Sequence, residues 1–558
     1  MKKMKGYDVL AGILKMQGVE FISAFPNQPL IESCAKIGIR PIICRQERTG
    51  VNIADGFSRI SNGNKFGIFT MQNGPGAENC FAGVAQAFAD SVPMLILAGG
   101  EPLSRYGVSP TFDAVKNFNN VTKWSARINN VSDIPDMMRR ALIQMKNGHP
   151  GPVLLEMPND VMEKEYPKDE IENFQVLKKR SKASTEDVRD LIKMILSSSN
   201  PIIVAGQGVL YSEATKELVE FADLAKVPVM TTLAGKSAFP ENHELSLGAG
   251  GLTRPLMVSR FLESTDFAVG IGTSFTRNIF TTPMPDGVKL AQVTNCAEDL
   301  AKDYKIEIGC VGDARLVLNQ MIEEYKVQDD SKKRGDDFTI VQKISEIRKE
   351  FEKEWEPRFS SAEVPINPYR VFRELESSFD VSDTIITHDS GYPRDQLVPM
   401  WKSLVPRGYI SWGKSTQLGY GLGLAIGAKL AAPDKHVINI MGEAAFGMSG
   451  LDIETAVRSG IPIITVVLNN SVMTNYDVHM PEASKLFGSN NLGGDYSKIA
   501  EGLGAFSQRV EKPDELLSSI KRAKEANSKG KTAVIEVISK VEKNVSNKVT
   551  SSPPFFNR

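Results

Sequence analysis

Glu443 and Asn470 are the residues whose types and spacing point most directly to chemistry. They bracket the stretch "GEAAFGMSGLDIETAVRSGIPIITVVLNN", which runs from Gly442 to Asn470. "KHVINIM" before Gly442 and "IPIITVVL" before Asn469 are short β-branched runs, and the segment between them has mixed helical spacing that closes on Gly460. Strand, helix and strand at this length predict a βαβ unit with parallel, adjacent strands. Both polar groups then fall at strand carboxyl ends, where open α/β sheets bind ligands. Small residues at Gly442, Ala444 and Ala445 would let backbone N–H groups approach an anion. A carboxylate, an amide oxygen and a nearby phosphate are hard oxygen ligands suited to Mg2+ or Ca2+. Either half alone reads as an ordinary solvated turn; the two together, placed on strand ends, read as an anchor for a metal and a diphosphate.

The rest of the chain must position that anchor. At 558 residues it is long enough for three domains. A formal net charge of −1 gives no sign of nucleic acid or an anionic membrane as partner. Five cysteines (Cys34, Cys44, Cys80, Cys296 and Cys310) show neither C-x-x-C spacing nor an even count, which predicts a reducing compartment without disulfides or a zinc site. "MKKMKGYDVLAGILKMQG" reads as an amphipathic first helix, too interrupted for a signal peptide or a membrane span, so a cytoplasmic protein is expected. Two polar stretches, "EKEYPKDEIENFQVLKKRSKASTED" and "KVQDDSKKRGDD", read as linkers. They leave blocks of 1–165, 186–325 and 365–545, each alternating β-like runs with helical patterns. The expected fold class is α/β, three domains each with a mainly parallel sheet flanked by helices.

Gly442–Asn470 resembles the thiamine diphosphate motif, G-D-G followed by ~24–27 residues and N-N. Here 24 residues separate Ala444 from Asn469. "CRQERTGVNIADGFSR", "QNGPGAENCFAGVAQAFADSVPMLILAGG", "GPVLLEMPNDV", "VPVMTTLAGKSAFPENHELSLG" and "YISWGKSTQLGYGLGLAIGAKLAAPDKHVI" resemble, in order, successive segments of acetolactate synthase-like enzymes. The resemblance implies a homodimer or homotetramer, with thiamine diphosphate in a cleft between the first domain of one subunit and the third of another. It implies Glu47 as the catalytic acid at the aminopyrimidine, where a buried carboxyl favours the imino tautomer. In isolation Glu47 would read as a common helix-start residue. The resemblance also places Pro26, Asn79, Gly391 and Tyr392 at the cofactor and Leu418 beneath it. Mg2+ would be held by Glu443, Asn470 and the Val472 carbonyl.

Departures from the family pattern cluster where substrate is expected. Glu443 stands where Asp is usual, moving the carboxylate by about 1.5 Å. "FPNQ" replaces an aromatic-Pro-Gly-Gly run, so Asn27 and Gln28 join Arg48, Gln72, Phe112 and Lys414 as candidate substrate residues. Arg and Lys suit carboxylates, although Lys414 reads equally as a surface lysine. The implied reaction is decarboxylation of a 2-oxo acid, with or without carboligation. Two alternatives stay open: an oxalyl-CoA decarboxylase or 2-hydroxyacyl-CoA lyase type of enzyme acting on acyl-CoA, favoured by "GEAAFGMSG", and a non-catalytic thiamine diphosphate-binding protein. FAD is not expected in the central domain, because "QVTNCAED" puts Thr294 and Asn295 where the family has a ribose-binding acid. An ADP-type ligand there, or an empty scaffold, are both compatible with the sequence.

Overall fold

A computed structural model describes residues 3–167, 174–334 and 338–549. Residues 168–173 and 335–337, parts of the two expected linkers, lie outside the described residues. The chain forms three six-stranded sheets whose neighbouring strands all run parallel, flanked by helices. This is the α/β architecture the alternating pattern predicts. The first sheet comprises β1 (Phe21–Ala24), β2 (Arg40–Ile43), β3 (Gly67–Met71), β4 (Met94–Gly100), β5 (Trp124–Arg127) and β6 (Val153–Pro158). The middle one comprises β7 (Pro201–Ala205), β8 (Val229–Thr231), β9 (Ser246–Ala249), β10 (Phe267–Ile271), β11 (Lys289–Thr294) and β12 (Ile308–Val311). The third comprises β13 (Thr384–His388), β14 (Tyr409–Ile410), β15 (His436–Gly442), β16 (Ile464–Asn469), β17 (Phe506–Val510) and β18 (Ala533–Ile538).

Strand order separates the middle sheet from its neighbours. It runs β9-β8-β7-β10-β11-β12, which reverses between β7 and β10 and so opens a crevice at their carboxyl ends. The outer sheets run β2-β1-β3-β4-β6-β5 and β14-β13-β15-β16-β18-β17, the same order in the two. No residue-level repeat marks this in the sequence, because a parallel strand needs only a buried apolar run and many residue choices supply one. β15 and β16 are adjacent and parallel, with Gly442 opposite Leu468, as the βαβ spacing requires.

Equivalent helices follow the second strand of each outer sheet: α1 (Glu47–Ile60) after β2, and α3 (Tyr420–Ala431) after β14. They pack on each other at backbone distance. A Cβ on Gly427 would sit 2.0 Å from the Ile53 carbonyl oxygen, and one on Gly56 would sit 2.2 Å from that of Leu424. α1 is also pressed against its own sheet, and its middle residues from Thr49 to Arg59 are buried. A helix buried on all sides carries apolar or small residues around most of its circumference, as α3 does; α1 instead buries polar side chains as well, Asn52, Asp55, Ser58 and Arg59 among them. Ile53, Phe57, Tyr420, Leu422, Leu424 and Ile426 share one core cluster across the junction. Each such side chain contributes about 1.5–3 kcal/mol when fully buried.

The close approach gives an expected outcome with an internal control. Gly427→Ala should lower stability by about 1–3 kcal/mol through overpacking. Gly12→Ala, in the helix Gly6–Met16 with nothing within 4 Å of the added carbon, should be neutral or stabilising by up to about 1 kcal/mol. Urea unfolding of the two variants checks the difference.

Candidate active site

Glu47 is the first residue of α1 and is 4% exposed. Its position follows from the local sequence: β2 ends at Ile43, and the chain turns through Cys44–Gln46 before the helix starts. The side chain of Asn79, from helix α2 (Pro75–Ala89), donates to Glu47 Oε2 at 3.2 Å. The two residues expected at a pyrimidine ring therefore meet.

Glu443 opens α4 (Glu443–Ser449) directly at the end of β15 and is also 4% exposed. The Val472 N–H donates to Glu443 Oε1 and to Asn470 Oδ1, at 3.1 Å in each case, so the two oxygens share one donor. Asn470 Nδ2 turns away to Thr474 Oγ1 at 3.0 Å. Burial pushes the Glu443 carboxyl up to about 7, against backbone N–H groups from residues 470–472 that favour its charged form. Among the described residues no cationic side chain pairs with it. A buried carboxylate and an amide oxygen with no counter-ion are a donor set that fits Mg2+. The 470–472 turn that faces Glu443 is tight, and Ser471 in it takes a φ of 61°. Val472 contributes its N–H to this turn, and its carbonyl remains a proposed ligand.

The two halves are joined within one chain. Gln46 Nε2 donates to the Met448 carbonyl at 2.7 Å, and the Arg45 N–H donates to Asp452 Oδ1 at 2.7 Å. Arg48 reaches Met448 Sδ at 3.8 Å, beside the N-terminus of α1. Leu418 is half-buried against the shared apolar cluster, and its neighbour Gly419 adopts a φ of 86°. Gly391 is exposed and Tyr392 half-buried, immediately beyond β13.

A residue missed in the sequence holds these pieces in register. Asp389 is fully buried and accepts from the N–H groups of Ser390, Gly419 and Gly421 at 2.7, 2.9 and 2.8 Å. Burial raises its carboxyl to about 6, against those three donors. It welds the end of β13 to the turn that carries Leu418. The available signal was an acid at a strand carboxyl end followed by Ser-Gly in "THDSG".

The candidate substrate residues do not all converge. Gln72 is exposed just beyond β3, Gln28 is exposed at the start of the helix that follows β1, Pro26 is half-buried before it, and Phe112 packs half-buried against an apolar cluster of the first sheet. Asn27 is buried, with its Nδ2 donated to Thr70 Oγ1 at 2.9 Å, so its amide braces the sheet. Lys414 departs most from expectation. Its N–H is held by Asp90 Oδ1 at 3.0 Å, and its side chain enters a cavity of about 370 Å³ at the carboxyl edge of the middle sheet. Asp90, Asp299 and Asp303 offset its charge there, so a lysine that reads as a substrate contact is instead part of the seam between sheets.

Comparisons with known proteins agree with the three-sheet α/β fold. Residues 4–122 match the family described as "Thiamine pyrophosphate enzyme, N-terminal TPP binding domain". Residues 188–321 match "Thiamine pyrophosphate enzyme, central domain", and residues 389–537 match "Thiamine pyrophosphate enzyme, C-terminal TPP binding domain". A probable acetolactate synthase large subunit of Methanococcus aeolicus is 30% identical over 93% of this chain and 90% of its own length. The acetolactate synthase large subunit of Lactococcus lactis is 27% identical over 93% and 92%. Glyoxylate carboligase of Escherichia coli O157:H7 is 28% identical over 98% and 95%. No helix among the described residues is long and apolar enough to cross a membrane.

The unpaired carboxylate generates the next expectation. Glu443→Ala should abolish the Mg2+-dependent component of thiamine diphosphate binding, while Glu443→Asp should change the metal affinity and retain binding. Calorimetric titration with and without Mg2+ checks both; equal affinity of the parent protein in the two conditions would refute the anchor.

Proposed function

Because this chain belongs to the acetolactate synthase-like family of thiamine diphosphate-dependent enzymes, we propose that it cleaves or forms a C–C bond on a 2-oxo acid, with Mg2+ anchoring the cofactor. The observation that carries this reading is the placement of buried Glu47, bonded by Asn79, opposite buried and uncompensated Glu443, beside half-buried Asn470, across the Gln46–Met448 contact. When bound, thiamine diphosphate supplies the electron sink for bond cleavage beside a carbonyl. Glu47 would hold a proton for the aminopyrimidine, while Asn79 fixes its Oε2. Leu418 would support the bound cofactor, and Gly442, Ala444, Ala445, Gly391 and Tyr392 would hold its diphosphate, with Glu443, Asn470 and the Val472 carbonyl holding the metal. Arg48, Gln28 and Gln72 stand at the open side and orient a carboxylate-bearing substrate.

The α1–α3 packing exists here within one chain. Exchange of the same contact between two copies would place each site between subunits, as in a homodimer or homotetramer, without altering any contact. The middle sheet is proposed to carry no flavin. β11 ends in Thr294, and the Asn295 amide that follows is already donated to the Gly148 carbonyl at 2.8 Å, so neither of these two residues offers a ribose a carboxylate.

Two measurements test the function. Screening 2-oxo acids and acyl-CoA thioesters for CO2 or aldehyde release should give turnover on a 2-oxo acid; saturation by the thioesters alone would move the assignment to the acyl-CoA lyase type. Glu47→Gln should keep the Asn79 contact and cofactor binding but lower kcat by roughly 10²–10⁴-fold. The purified protein should be colourless, and stoichiometric flavin absorbance would overturn that part of the proposal.

A further inference from the structure

Ser91, His149 and Asp299 meet at the opposite edge of the first sheet from Glu47, where they line the 370 Å³ cavity between the first and middle sheets. Ser91 sits in the turn between α2 and β4, His149 in the loop before β6, and Asp299 in the turn after β11. Ser91 Oγ hydrogen-bonds His149 Nε2, and His149 Nδ1 lies 3.6 Å from Asp299 Oδ2. The other carboxylate oxygen of Asp299 is fixed by Lys302 Nζ at 2.6 Å. The His149 loop is tied to the middle sheet by Asn295 Nδ2 on the Gly148 carbonyl. Ser91 has a φ of 61°, a left-handed conformation that costs a non-glycine residue energy and gathers at functional turns.

We propose that Ser91, His149 and Asp299 form a nucleophile, a general base and a positioning acid that hydrolyse an ester or thioester bearing an anionic group. Hydroxyl, imidazole and carboxylate in this sequence of contacts are the geometry by which such relays are recognised, whatever the fold around them. Burial pushes the His149 imidazole down to about 4, with Lys414, Lys302 and Lys123 acting against Asp299. It is therefore neutral at neutral pH, with Nε2 able to accept the serine proton. Ser91 Oγ adds to the carbonyl carbon as its proton passes to Nε2. The bond to the leaving oxygen or sulfur breaks, and the leaving group takes that proton. Water then repeats the cycle on the acyl-serine, releasing a carboxylic acid and restoring Ser91. The 3.6 Å separation of His149 and Asp299 is within the looseness of catalytic contacts before substrate binds.

The cavity also indicates a substrate class. Lys146, Lys178 and Lys414 line it. Two of its acids are already engaged, Asp90 by Arg59 at 3.1 Å and Asp313 by Arg180 at 3.6 Å. With Lys414 offset by its neighbouring acids, Lys146 and Lys178 are the positive lining that favours an acyl or leaving group carrying a carboxylate or phosphate. This chemistry is separate from the thiamine diphosphate site, because Ser91 precedes the amino end of β4 whereas Glu47 and Gln72 follow strand carboxyl ends.

The full-length protein should be treated with a fluorophosphonate probe and assayed on p-nitrophenyl hemisuccinate. The expected result is one covalent adduct, mapped to Ser91, and hydrolysis faster than that of p-nitrophenyl acetate. Ser91→Gly, which suits the left-handed backbone, should lose the adduct and lower hydrolysis by at least ~10²-fold. His149→Gln should lower it similarly, and Asp299→Asn should reduce kcat with KM unchanged. Retained thiamine diphosphate binding in each variant serves as the control for folding. An adduct at Cys296 or elsewhere, no adduct, or hydrolysis unaffected in a folded Ser91→Gly protein would overturn the assignment.

Discussion

The buried guanidinium of Arg59 is the interaction on which the rest of this structure depends. It pairs with Asp55 at 2.5 Å and Asp90 at 3.1 Å and donates to the Ser411 carbonyl at 2.5 Å. Asp55 also accepts from the Tyr420 hydroxyl at 3.0 Å, and Asp90 also accepts from the N–H groups of Gly413 and Lys414. Burial works against the charge on Arg59, yet the two carboxylates outweigh it and hold the proton more firmly than in water. Burial likewise raises the Asp55 carboxyl, against Arg59. Removing one partner from such a network leaves an uncompensated buried charge, which costs about 3–5 kcal/mol. Four pieces of chain are joined through this one group: α1, the end of α2, the 411–414 segment and α3.

Those four pieces are the ones that carry the Glu47 side of the candidate site. α1 begins with Glu47, α2 presents Asn79, the 411–414 segment leads to Leu418, and α3 begins just after Gly419. Gln86 on α2 reinforces the link by accepting from the Gln417 N–H at 3.2 Å. The charge network and the apolar helix junction do different jobs. Gly56 and Gly427 set how near α1 and α3 approach, while Arg59 and its partners set their register along the contact. Apolar packing is non-directional and tolerates sliding; hydrogen-bonded charges do not.

The shared strand order of the outer sheets gives this junction a further property. The packed helices are topological equivalents, so the interface is close to self-complementary, and pieces of similar shape face each other across it. Middle-sheet elements are tied to this assembly along the other face, through the 413–414 segment and the Gly148 loop. The cavity that forms there collects side chains from segments more than 100 residues apart in sequence, Ser91 and Asp299 among them.

Much of the function was legible in the chain alone. Glu443 and Asn470 are local to one βαβ unit, and a short apolar run, a crossover and a second run allow few arrangements. The α/β class could be read for the same reason, whereas Glu47 stood out only through the family resemblance, because a strand, a turn and a helix by themselves make it an ordinary helix-start residue. Lys414 and Asn27 could not be placed, because their roles depend on partners far along the chain, Asp90 for one and Thr70 for the other. Asp389 was overlooked because its significance lies in N–H groups about 30 residues away. The relay of Ser91, His149 and Asp299 left no sequence pattern at all. Periodicity and spacing determined which elements form and which residues end them, because backbone hydrogen bonding and apolar burial act over a few residues. Only tertiary packing decided which buried charges would meet, because desolvated groups must find partners wherever the folded chain brings them.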